Sequence, residues 1–167
     1  GRKLDIAASE DNQTYTDTET IYLPAITALY EDAKDNFLTY KASIAFLCAQ
    51  IQFGTFRVQF KQLLDCERPE EKLNRFFALE TIRLETILMR ELPGLYRDMQ
   101  SLKQKEDLLS NNKKTEIPEW QRIKQKLTKS NATVDDTIEC LSIIREYRFP
   151  TVYSYHGSLR LEQVKAV

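Results

Sequence analysis

Apolar residues recur three or four positions apart along most of this chain, the spacing of amphipathic helices. From about Leu29 to Phe53 the pattern predicts a long helix. Its stretch from Ala42 to Phe53 is apolar on nearly every side, which marks the centre of a domain rather than its surface. Glu31, Asp32 and Asp35 fall in its early turns, where the helix dipole favours negative charge. Gly54 ends it, and Thr55 to Leu64 predicts a short second helix. Arg68-Pro69-Glu70-Glu71 starts a third, with proline tolerated in the first turn. Leu73, Phe76, Phe77, Leu84, Ile87 and Leu88 form its stripe as far as about Glu91. After Pro93-Gly94 a more charged helix runs from Leu95 to Leu109. A polar loop over Ser110 to Glu116 leads to helices over Pro118 to Lys129 and Val134 to Tyr147.

The two ends follow a different pattern. Residues 1–20 are polar, with too few apolar side chains to offset the entropy of ordering, and predict a flexible tail or linker. Ile21-Tyr22-Leu23-Pro24 predicts an extended arm on the helical core, since proline cannot donate in a central ladder. Thr151 to Tyr155 is β-branched and aromatic and predicts an extended exit segment over 151–167. The expected fold class is therefore all-α: an irregular bundle of about five or six helices around a buried central helix, spanning 21–150, with extended terminal segments.

Composition narrows the function. Four glycines and five prolines are few for a sandwich or barrel, and neither glycine-rich phosphate loop can be built from them. The 24 basic and 25 acidic residues nearly cancel, so the overall field favours neither nucleic acid nor an acidic membrane. No apolar run approaches the roughly 18 residues of a membrane span, and the first residues do not resemble a signal peptide. Cys48, Cys66 and Cys140 form no C-x-x-C pair and suit reduced thiols in a cytoplasm, with Cys48 and Cys140 read as core packing.

Candidate chemistry is sparse. His156 beside Gly157 reads as a surface turn residue, with no nucleophile motif to pair it. Arg122, Lys124, Lys126 and Lys129 spread around one helix and read as a solvated face. Charged groups on a stripe of Phe, Leu and Ile must be paired to be tolerated, which singles out Glu80, Arg83 and Glu85. Gln50 shares a face of the central helix with Phe46 and Phe53 and is their expected partner, giving a buried polar network of Gln50, Glu80 and Arg83. No catalytic, cofactor or metal residue is assigned. A metal-dependent hydrolase using Glu80, Glu85 and His156 is the alternative, and would need His156 to reach the third helix.

Gln52-Phe53-Gly54-Thr55-Phe56, Glu80-Thr81-Ile82-Arg83-Leu84-Glu85, Leu92-Pro93-Gly94-Leu95 and Tyr155-His156-Gly157 occur in an order that resembles the NorD-like family. This family comprises nitric oxide reductase activation proteins and their rubisco-activation relatives. The resemblance covers roughly residues 21 to 160. It implies a helical region followed by a von Willebrand factor A domain, acting with a MoxR-type AAA+ ATPase on a target enzyme. Many relatives carry two histidines four apart before the F-G-T-F segment and an E-D-x-R-x-E stretch after it, an arrangement similar to zinc peptidases. Those positions are Phe46, Gln50 and Thr81 here, leaving Glu80 alone, so the resemblance implies a lost zinc site on a retained scaffold. With no D-x-S-x-S loop in the chain, the exit segment is expected to lead into a missing A domain. The expected function is a cytoplasmic, non-catalytic adaptor without nucleic-acid or membrane partners. Lys113, Lys114 and Trp120 are its candidate contacts, chosen because loops and a lone aromatic often mark interfaces. A purely structural bundle in a larger assembly is the third reading.

Overall fold

A computed structural model describes residues 3–110, 118–144 and 151–165. Among them the chain is mostly helical, but a small mixed sheet corrects the all-α expectation. Strands β1 (Asp5–Ala8), β2 (Tyr15–Thr16) and β3 (Thr20–Leu23) lie in the order β1-β3-β2. β3 pairs parallel with β1, Ile6 opposite Ile21, and antiparallel with β2, Tyr15 opposite Tyr22.

Main-chain and polar contacts, rather than apolar burial, order the segment expected to be a tail. Asp17 accepts from the backbone N–H of Glu19 and Thr20 at 2.9 and 2.7 Å, closing the turn between β2 and β3. The other end of the chain then braces it. Ser158 N–H donates to the Thr14 carbonyl at 2.9 Å, and Lys165 N–H donates to that of Asp17 at 3.0 Å. Arg160 lies over the Tyr15 ring and pairs with Asp11 at 2.6 Å. Residues 151–165 thus fold back on the sheet. Gly157 permits this, since at φ +68° a Cβ would sit 2.9 Å from the Thr14 carbonyl carbon.

The central helix, α1 (Ala33–Gln52), begins later than the apolar pattern suggested because the Asp32 carboxylate caps it, accepting from Lys34 N–H at 2.8 Å. It packs against β3, a 3₁₀ turn at Thr55–Arg57, α3 (Pro69–Glu91), α4 (Pro93–Ser110) and a second 3₁₀ turn at Ser154–His156. The short α2 (Phe60–Leu63) rests Phe60 edge-on against Phe76. The largest core joins Phe46, Phe77, Leu84, Met99, Leu102 and Tyr155. A second core lies on the opposite side of α3, where Leu79 meets α5 (Glu119–Leu127) and α6 (Val134–Cys140). α6 is shorter than expected: turns follow from Leu141, and the rest of the predicted helix, 145–147, lies outside the described residues. All three cysteines are free, with Cys140 buried, Cys48 half-buried and Cys66 exposed.

Candidate functional site

α3 carries two buried carboxylates, and each gathers a separate set of donors. Glu80, fully buried, accepts from the Thr55 hydroxyl at 2.6 Å and Arg83 Nη2 at 2.5 Å on one oxygen. Its other oxygen accepts from the Thr137 hydroxyl at 2.6 Å and Arg83 Nε at 3.0 Å. Arg83, 2% exposed, spends a further donor on the Phe53 carbonyl at 3.0 Å, just past the end of α1. One ion pair therefore fastens α1, the Thr55 turn and α6 to α3, with four donors on the carboxylate offsetting its desolvation.

The second carboxylate, Glu85, holds the C-terminal segment. One oxygen accepts from the Tyr155 hydroxyl at 2.5 Å and contacts His156 Nε2 at 2.7 Å, and the other pairs with Lys103 of α4. His156 Nδ1 accepts the Tyr153 N–H at 2.9 Å, so Nε2 carries the proton and donates to Glu85. Burial pulls the His156 pKa down, against the opposing pull of Glu85, which fits this neutral tautomer. Burial pushes Glu85 up, but the His156 hydrogen bond and the Lys103 ammonium outweigh it and hold its pKa at about 2. Burial and the Glu85 charge push the Tyr155 phenol well above its ordinary value, so it stays a donor. Glu106 and Asp107 of α4 complete the clasp, accepting from Ser154 and from the Tyr153 hydroxyl.

Glu80 and Arg83 pair with each other, and Gln50, expected from the sequence as their partner, does not join them. It is 1% exposed, and among the described residues neither the nitrogen nor the oxygen of its side-chain amide has a hydrogen-bond partner. Its helical face was read correctly; the rotation of α1 against α3 that would close the contact has no signature in periodicity. His156 is buried rather than on the surface, tilted against Phe46 with ring centroids 4.6 Å apart. The turn signal from Gly157 was real, but the turn faces inward. Trp120 is 8% exposed and packs with Ile123, Leu127 and Cys140, so it is a core side chain rather than a partner contact. Lys113 and Lys114 lie outside the described residues.

The hydrolase alternative obtains half of its geometry. His156 reaches α3 and bonds Glu85, but Glu80 sits about 140° around the helix from Glu85. Among the described residues no three His, Cys, Asp or Glu side chains converge as metal ligands. At the positions that the family resemblance makes ligands, Phe46 is core and the Thr81 hydroxyl donates to the Ala78 carbonyl at 2.7 Å. Thr55, Thr137, Lys103 and Tyr155 were not singled out from sequence. Their partners lie 18 to 70 residues away, and nothing local marks them.

Comparison with protein-family models, curated proteins and solved structures returns no match. Among the described residues, no helix is long and apolar enough to cross a membrane.

Proposed function

We propose that this chain is a non-catalytic, cytoplasmic adaptor domain that couples a MoxR-type AAA+ ATPase to a target enzyme of the nitric oxide reductase or rubisco kind. The observation that carries the reading is the use made of α3. Four donors of the protein itself reach the Glu80 carboxylate and three reach Glu85, and together these bonds tie α1, α4, α6 and the 153–156 corner into one frame. Such a frame can transmit force between two partner surfaces, and Glu80, with two donors on each oxygen, has no lone pair left to serve as a general base. The identity of the motor rests on the family resemblance.

Copurification from a native extract tests it. An AAA+ ATPase retained with ATP and released with ADP supports the adaptor, and a set of partners indifferent to nucleotide favours a passive structural bundle. One observation favours the hydrolase instead, the Glu85–His156 pair; metal-dependent peptide hydrolysis abolished by Glu85→Gln would establish it.

A further inference from the structure

Beside the Glu80–Arg83 pair lies a groove of about 1190 Å³, bounded by the stretch from Gln52 to Leu63, by α3, and by Ser130 to Ile138. This exceeds the roughly 300–1,000 Å³ of small-molecule sites. Lys72, Arg83 and Arg90 line it from α3. At 100° per residue these three fall within about 20° of one another, in a row about 27 Å long. Arg83 is neutralised by Glu80, but Lys72 and Arg90, and Arg57 on the facing wall, form no ion pair among the described residues. Glu91 and Asp135 share the lining without pairing to them, and Asp135 sits in the first turn of α6, where the dipole already favours it. Between the charges the lining is mixed: half-buried Phe53 and Ile138 and buried Ile87 form apolar patches among Gln59, Gln62, Asn131 and Thr133.

We infer that this groove is the docking site for an extended acidic segment of a partner protein, about eight residues long at about 3.3 Å per residue. Lys72 and Arg90 at the two ends of the row, with Arg57 on the facing wall, would meet spaced carboxylates, and Phe53, Ile87 and Ile138 would take the aliphatic side chains between them. A single-stranded nucleic acid fits less well, because the floor offers Phe53 alone as a stacking surface. The inference deepens the adaptor reading by giving it a contact surface, and it rests on that reading.

The test uses degenerate nine-residue peptide pools on the full chain. One pool alternates Asp/Glu with Leu/Ile/Val, a second carries Lys/Arg in the acidic positions, and a single-stranded oligonucleotide pool is the third probe. The acidic pool is expected to be retained preferentially, and its retention to fall about tenfold in Lys72→Glu/Arg90→Glu but not in Arg97→Glu on α4. Circular dichroism confirms that each variant is folded. Equal retention of acidic and basic pools, a preference for the oligonucleotide, or retention by the double variant overturns the inference. A native partner held equally by the wild type and the double variant removes the groove and leaves the adaptor. Acidic-pool binding with no nucleotide-dependent partner does the reverse.

Discussion

Replacing Glu80 by Ala should be among the most damaging single changes available in this chain. It leaves the Arg83 guanidinium, 2% exposed, with the Phe53 carbonyl as its one remaining acceptor, and strips the Thr55 and Thr137 hydroxyls of theirs. Breaking one side of a buried pair costs about 3–5 kcal/mol, a large part of the roughly 5–15 kcal/mol that holds a domain folded. At about 2–4 °C per kcal/mol the melting temperature falls by about 6–20 °C. Removing both charges is a different perturbation: Glu80→Met with Arg83→Met deletes the desolvation of both groups and should lose less than Glu80→Ala alone. Urea unfolding followed by fluorescence reports it, since the one tryptophan, Trp120, lies in the core between α3, α5 and α6. A loss under about 1 kcal/mol for Glu80→Ala, or a double variant worse than either single one, would refute the claim that this pair fastens the helices.

Gln50→Met should stabilise the chain by about 1–3 kcal/mol, because it removes a buried amide that finds no partner; a lowered urea midpoint would show that the amide is satisfied. Gly157→Ala should destabilise by several times the ~1 kcal/mol of an ordinary glycine change, since both its positive φ and the Thr14 backbone exclude a Cβ, and proteolysis should then release the 158–165 segment first. Acid should weaken the fold in two steps. His156 has a folded pKa lowered from 6.5 and Glu85 one lowered from 4.5 to about 2, so in both cases the unfolded chain binds the proton more readily. Stability is then complete above about pH 6.5, declines below it, and declines more steeply below about 4.5, each proton contributing up to about 1.4 kcal/mol per pH unit. His156→Gln should remove the first step in a pH series of urea midpoints, and a first step unchanged in that variant would contradict the assignment.

Most helices were legible because their signals are local: the apolar stripe of α3, Pro69 in its first turn, and Gly54 after α1. The sheet was not. Its first two strands are only four and two residues long, and part of what braces them comes from Ser158 and Lys165, more than 140 residues away. The same divide runs through the site. Glu80 and Arg83, three residues apart on one helix, could be paired from sequence, as a buried charge demands a partner. His156 could not be placed against Glu85, because a turn signal fixes the chain's direction but not which side of the turn the fold covers. Trp120 erred for a related reason. A lone aromatic suggests an interface, but Trp120, Ile123 and Leu127 share one face, and that face closes the second core.

If the carboxylates of α3 serve the frame and bind no metal, metal analysis of the purified chain, paired with a melt in added zinc, will show it. The expected result is a substoichiometric metal content and a melting temperature unchanged by zinc. Stoichiometric zinc that raises the melting temperature and is lost in Glu85→Gln or His156→Gln would contradict it, and would make the Glu85–His156 pair the core of a working metal site.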